Sequence, residues 1–374
     1  MFETSEDQEL FQETTRRFLE AEAPLSKLRA LAGSKEGFEP GFWRQGADLG
    51  WTSLVVPEDA GGGSVSGQGV LDLLLVAYEF GLHAAPGPLG PTNVVAAALG
   101  RWGRAEQQAG PLASLIAGEK IGAWAFAEPA PNAGLGQIDL SAEASGGGYV
   151  LNGIKTPVEA GGQADYLLVT ARDGSGLSQF LVPADTPGVT VRPLNGLDMT
   201  RRYAQVEFRD VRLGSDSLVG EAGGADGAVQ WLLDLVVVVQ LAEMVGAMQW
   251  AFDTTLEWSF NRYSFGRPLA SYQEIKHRFA DMKMWLEGSY AITEVAARAL
   301  QDDAPDRSEQ VSAGKFYVGR HGGELMQDCV QLHGGIGVTF DHDLHIFLRR
   351  VTTDIPVYGG PAEHANRIVS ILEA

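Results

Sequence analysis

Arg262-Tyr263-Ser264-Phe265-Gly266-Arg267-Pro268 and, further on, Gln331-Leu332-His333-Gly334-Gly335-Ile336-Gly337 are the stretches on which the reading of this 374-residue chain turns. Each can serve an anionic ligand. Arg262 falls at the end of a helical pattern, where its guanidinium can take a pyrophosphate in a forked geometry. Gly266 lets the backbone turn sharply. Gly334 and Gly335 let the backbone approach a ligand closely, with N–H groups free to face phosphate oxygens. Gln273 and Gln331 add amide donors and acceptors. Taken singly, each stretch reads equally well as a helix–helix turn with a glycine cap.

The surrounding pattern is helical. A helix is expected over about 228–262, another over 271–300 opened by a capping box at Ser271-Tyr272-Gln273-Glu274, and a third over 307–332. Long helices on short loops make an up-and-down bundle. Upstream, from about 121 to 218, the period shifts toward two. Tyr149-Val150-Leu151, Tyr166-Leu167-Leu168-Val169-Thr170, Gln179-Phe180-Leu181-Val182, Val189-Thr190-Val191 and the run 203–208 read as short strands between glycine turns, which suggests a small β-barrel or sandwich. Residues before about 120 are helical again, with a capping box at Ser5-Glu6-Asp7-Gln8, a helix over 70–82 and one starting at Pro91. The expected class is α+β in three domains: a helical domain over 1–120, a β-domain over 121–221 and a helical bundle over 222–374.

Composition narrows the function. Lys and Arg total 28 against 48 Asp and Glu, a formal charge of −20. That balance disfavours nucleic acid and anionic membrane surfaces as partners. Cys329 is the sole cysteine, so no intramolecular disulfide is possible. The acidic start MFETSEDQELFQ lacks the order of a secretory signal, and a cytoplasmic protein is expected. The most apolar run, 231–248, is interrupted by Asp234, Gln240 and Glu243 and reads as a buried helix rather than a membrane span. No Rossmann glycine fingerprint, phosphate loop or nucleophile elbow is present. Asp341-His342-Asp343 with His345 reads as a helix start rather than a metal site.

Together, the R-x-x-F-G and Q-x-x-G-G stretches, and the β-segment that opens at Ala125-Phe126-Ala127-Glu128-Pro129, resemble the acyl-CoA dehydrogenase family over the whole length of the chain. The resemblance implies a tetramer with FAD across a subunit boundary. It makes Arg262, Phe265, Gly266, Gln273, Gln331, Gly334 and Gly335 contacts to the FAD of a neighbouring subunit. The implied reaction removes a proton from Cα and a hydride from Cβ of an acyl-CoA, and it needs a carboxylate base.

Departures from the family pattern are selective. The base of a Tyr-Glu-Gly-Thr loop is replaced in Tyr358-Gly359-Gly360-Pro361, so Gly359 stands where the Glu is expected. The second position known for the base falls at Val236, beside Val237. After Gly153-Ile154-Lys155 the aromatic of a Trp-Ile-Thr-like stretch is replaced by Pro157, and Glu159 stands near where a hydroxyl meets the flavin. Ala130-Pro131-Asn132-Ala133-Gly134 lacks the family's Gly-Ser-Asp, and Pro361-Ala362-Glu363 replaces Thr-Ser-Gln. What serves the chain's own active site is lost; what reaches a neighbour's FAD is kept. The pattern is similar to the non-catalytic subunit of actinobacterial α2β2 acyl-CoA dehydrogenases of the steroid side-chain type, which carry two flavins rather than four. The implied partner is a homologous subunit that holds the catalytic Glu and most of the acyl-CoA. No catalytic residue is assigned to this chain.

Three alternatives stand beside that reading. One is a homotetramer with an unrecognised base. Glu243 is on the helix face of Val236 but ~10.5 Å along the axis, Asp234 faces elsewhere, and Glu363 opens the next helix. The others are a flavin monooxygenase on the same scaffold and a scaffold subunit without flavin contact.

Overall fold

The computed structural model describes residues 2–129 and 137–373. The departure at 130–134 lies outside the described residues. The N-terminal helices are α1 (Glu6–Glu22), α2 (Leu25–Leu31), α3 (Pro40–Asp48), α4 (Gly69–Leu82) and α5 (Leu89–Trp102), followed by the short α6 (Ala105–Gln107) and α7 (Ala113–Ile116). The Ser5 hydroxyl accepts from the Gln8 N–H and the Gln8 side chain accepts from the Ser5 N–H, so the expected capping box closes. Helix α5 starts two residues before Pro91, which occupies its first turn.

The strands are β1 (Gly122–Ala125), β2 (Ser141–Ser145), β3 (Gly148–Glu159), β4 (Tyr166–Arg172), β5 (Leu177–Pro183), β6 (Val189–Leu194), β7 (Tyr203–Gly214) and β8 (Leu218–Val219). They form one sheet in the order β6-β7-β3-β2-β4-β5-β8, with β1 parallel to β4. Alternation divides its side chains between two cores. In β4, Leu167, Val169 and Ala171 fill the core of the sheet, whereas Leu168 joins Trp124 and Phe126 in the core shared with the helices. That second face docks the sheet on the helical part of the molecule.

The bundle comprises α8 (Asp226–Asn261), α9 (Gln273–Gln301), α10 (Arg307–His333), α11 (Leu344–Asp354) and α12 (Pro361–Leu372). The capping box expected at Ser271 does not form. The Ser271 hydroxyl donates to the Pro268 carbonyl instead, and α9 begins at Gln273 behind Tyr272 with no side-chain cap. The competing local bond holds Ser271 in the preceding turn. Helix α8 is long and apolar enough to cross a membrane by length and composition, yet its apolar window is wholly buried inside the protein. A helix apolar all round belongs in a core.

Helices α4 and α8 cross at two glycines. A Cβ on Gly246 would stand 2.1 Å from the Tyr78 carbonyl oxygen, and one on Gly81 would stand 1.9 Å from that of Glu243. Both contacts are backbone, so nothing flexible can yield. Gly246→Ala is therefore expected to lower unfolding free energy by about 3 kcal/mol, read as a shift in the urea midpoint. The close approach sets Glu243 in the middle of the molecule, which determines the site described next.

Candidate functional site

Two regions answer to the sequence motifs. The first is exposed. Tyr263-Ser264 (β9) and Arg267-Pro268 (β10) pair antiparallel, with Phe265 and Gly266 as the two turn residues. Their φ values are +49° and +82°. A two-residue hairpin of this kind needs left-handed backbone at both central positions, which suits glycine at Gly266 and strains Phe265. The Phe265 side chain is 98% exposed. Arg262 caps the end of α8 and also lies at the surface. Its guanidinium has no hydrogen-bond or ion-pair partner among the described residues and sits 5.9 Å from the centre of the Trp258 ring. Gln273 and Gln331 are exposed at the start of α9 and the end of α10. Gly334 ends α10 at φ +66°, and a short 3-10 turn runs from it to Val338. Cβ atoms added at Gly266, Gly334 or Gly335 would meet nothing within 4 Å. Packing inside the chain therefore does not require the last two glycines; the left-handed φ of Gly334 favours glycine by itself, and the open space at both leaves room for close approach from outside.

The second region is buried and lies where the resemblance places the chain's own active-site positions. Val236 and Val237 are buried in α8, and a Cβ on Gly90 of α5 would already touch Val236 Cγ2 at 3.6 Å. Tyr358, in the loop where the resemblance places the base, stacks on Trp124 of β1, with ring centres 6.3 Å apart. Between β3, α8 and that loop lies a set of ion pairs that sequence reasoning did not find. Arg201 donates to Glu243 and to the Gly87 carbonyl, and its Nε lies 3.4 Å from Glu159. Arg350 of α11 donates to Asp198 at 3.3 Å, to the carbonyls of Phe80 and Ala85, and to the Thr200 hydroxyl. Lys315 of α10 donates to Gln240 and to the carbonyls of Asp354 and Val357, fixing the start of the base loop.

Burial controls the charge states. It pushes the Glu159 carboxyl up to about 7, with Arg201 pulling the other way. It holds Asp354 well above the carboxylate range, with Glu243 adding to the effect. It lowers Lys315 to about 7, against Asp354. One oxygen of Glu243 and one of Asp354 have no hydrogen-bond partner. Among the described residues, then, the site contains more buried carboxylates than cations to pair them. Because the folded pKa of Glu159 exceeds its ordinary value of 4.5, its contribution to stability is present below pH 4.5 and lost as pH rises through about 7. Wild type minus Glu159→Gln should show that loss, up to about 3 kcal/mol, in urea titrations across pH 4.5–7.

The acids considered as substitute bases are all engaged. Glu243 is paired with Arg201 as described. Asp234 accepts from Arg367 at 2.7 Å and from the Ser308 hydroxyl at 2.6 Å. Glu363 accepts from the Gly360 N–H at the start of α12. Asp343 pairs with Arg29 at 2.7 Å, and no His/Cys/Asp/Glu group suited to a metal occurs among the described residues. Lys155 of β3 donates to Glu128 at 2.6 Å and to the Phe126 carbonyl, so the Gly-x-Lys and Glu-Pro segments are tied together.

Family models for the N-terminal, middle and C-terminal domains of acyl-CoA dehydrogenases match residues 5–119, 123–211 and 227–370. The chain belongs to the acyl-CoA dehydrogenase family. It is 30% identical over 367 residues to acyl-CoA dehydrogenase IpdE2 of Mycolicibacterium smegmatis, covering 97% of this chain and 98% of that one. It is 31% identical over 349 residues to acyl-CoA dehydrogenase FadE27 of Mycobacterium tuberculosis, covering 91% and 90%. Among solved structures it is similar to the ChsE4–ChsE5 complex from Mycobacterium tuberculosis, with a TM-score of 0.90 at 28% identity over 100% and 99% of the chains. The Tcur3481–Tcur3483 steroid acyl-CoA dehydrogenase variant is similar at a TM-score of 0.89 and 27% identity, over 98% of both chains.

Acyl-CoA dehydrogenases are FAD-dependent oxidoreductases acting on CH–CH bonds. Whether these residues fit FAD has a different answer in each region. The exposed region fits its phosphates: a free guanidinium, exposed amides and glycines facing open space. The buried region fits a flavin ring poorly, because at Glu159, where the resemblance implies a flavin contact, the side chain is paired with Arg201.

Proposed function

We propose that this chain is the catalytically silent subunit of a heteromeric acyl-CoA dehydrogenase. Its R-x-x-F-G and Q-x-x-G-G face contacts the FAD of a homologous partner in an α2β2 assembly. The observation that carries the proposal is the contrast between the two regions. Arg262 is free and exposed, whereas Gly359 and Val236 stand at the base positions beside the closed Glu159–Arg201–Glu243 set. Neither Gly nor Val can take a proton.

FAD, bound in the partner's β-domain, supplies the hydride acceptor for the α,β-dehydrogenation. This chain's part is binding and shielding. Arg262 pairs with the pyrophosphate, Gln273 and Gln331 give directional hydrogen bonds, and the glycines permit close approach. Phe265, with exposed Phe260 and Tyr263, presents an aromatic surface of the kind a partner covers. The partner supplies the catalytic Glu and holds most of the acyl-CoA. The complexes among the similar structures support a heteromer, and the steroid type of one supports a steroid side-chain CoA thioester as substrate.

The test is to purify the chain alone and after co-expression with a homologous subunit that carries the Glu. Flavin absorbance and acyl-CoA dehydrogenation should appear only in the co-expressed assembly. A yellow, active protein made of this chain alone would sink the proposal, and substitution of Glu243 and Glu363 would then identify its base.

A further inference from the structure

We propose that Trp258 and His333 are positioning residues that join Arg262 and the Gly334-Gly335 turn into one rigid unit for the pyrophosphate of the partner's FAD. This inference rests on the cross-subunit reading above and goes beyond it to two residues that touch no ligand.

The two motif segments come from different helices, α8 and α10, and a forked pyrophosphate contact needs them in fixed register. Trp258 supplies the link. It lies one turn before Arg262, whose N–H donates to the Trp258 carbonyl. The His333 imidazole stacks on the indole, with ring centres 5.1 Å apart and planes 20° apart. The Arg262 guanidinium carbon lies 5.9 Å from the centre of the same indole, within cation–π range. Thus one ring meets both the arginine of the first motif and the histidine inside the second. His342 completes the cluster, 4.6 Å from His333 and edge-on to Trp258 at 6.4 Å.

His333 is itself locked. Its Nδ1 lies 2.9 Å from the Cys329 carbonyl, which only accepts, so Nδ1 carries the proton. The turn after it folds back on the same residue: a Cβ on Gly337 would come within 2.9 Å of His333 Cβ. Burial lowers the pKa of His333 and of His342, so neither competes with Arg262 as a cation.

Two polar atoms of this arrangement are unpaired. His333 Nε2 and Trp258 Nε1 are buried without a hydrogen-bond partner. Such atoms cost stability, and apolar side chains would fill the same space without them. Flat rings at these two places are accounted for by what they hold: the arginine on one side of the join and the glycine turn on the other.

The experiment uses the co-expressed assembly, stripped of flavin and titrated with FAD and, separately, with FMN, which lacks the pyrophosphate. The reporter is quenching of flavin fluorescence. Trp258→Leu and His333→Leu should each weaken FAD about five-fold and leave FMN unchanged. Trp258→Phe, which keeps a stacking ring, should restore most of the loss. In an Arg262→Ala background Trp258→Leu should cost nothing further, because its effect runs through Arg262, while His333→Leu should keep the part of its loss that runs through the Gly334-Gly335 turn. His333→Leu carries the test by itself if Trp258→Leu does not assemble. The inference is overturned if Arg262→Ala weakens FAD while the Leu variants do not, or if the loss of Trp258→Leu adds in full to that of Arg262→Ala. If Arg262→Ala leaves FAD affinity unchanged, the cross-subunit reading falls and takes this inference with it.

Discussion

Replacing Arg201 with methionine is expected to destabilise the chain by about 3–5 kcal/mol, measured by urea unfolding at pH 7. Arg201 is the cation between Glu159 and Glu243; Arg201 and Glu243 are nearly inaccessible to water, and Glu159 is mostly buried. Methionine approximates the length of the stem and removes the charge. Two carboxylates are then left buried beside Asp354, which already lacks a partner for one oxygen. The loss should shrink on acidification, because protonated carboxyls no longer need the arginine. Adding Glu159→Gln and Glu243→Gln to Arg201→Met should restore much of the stability, since a buried ion set replaced as a whole is close to neutral. A loss below 1 kcal/mol in the single variant would show that the cluster is hydrated and its cleft open, which contradicts the account of a closed site.

Arg262→Ala should do the reverse: leave stability almost untouched and weaken FAD binding by the assembly about tenfold to a hundredfold. Its guanidinium has no hydrogen-bond or ion-pair partner among the described residues, so the fold loses little with it. What goes is a charge-assisted contact to a pyrophosphate, made against the background of a chain with net charge −20. That field repels an anionic cofactor at long range, so local cations must do the holding. The FAD affinity of wild type should therefore fall with added salt, and that of Arg262→Ala should fall less steeply.

Much of the architecture was legible because it is written in local periods. The strands at 149–151, 166–170, 179–182, 189–191 and 203–208 each lie within an observed strand, and the three long helices end within two residues of their expected bounds. The capping boxes show the limit of such reading. Ser5-Glu6-Asp7-Gln8 forms one because nothing competes for Ser5, whereas Ser271 prefers the Pro268 carbonyl three residues back. The candidate site was legible where it depends on motif and glycine, and the R-x-x-F-G turn proved to be a two-residue hairpin. Arg201 was not legible. Its partners lie 42 residues either way, at Glu159 and Glu243, and nothing in Thr200-Arg201-Arg202 distinguishes a buried arginine from the more exposed one beside it. Glu159 was noticed as a departure, and its meaning became visible only with Arg201 against it.

The flavin stoichiometry of the purified assembly tests the central claim most directly. FAD released by acid and quantified against the two subunits should amount to one per pair of unlike chains, with none retained by this chain when purified alone. One FAD per chain, with this chain yellow by itself, would contradict it.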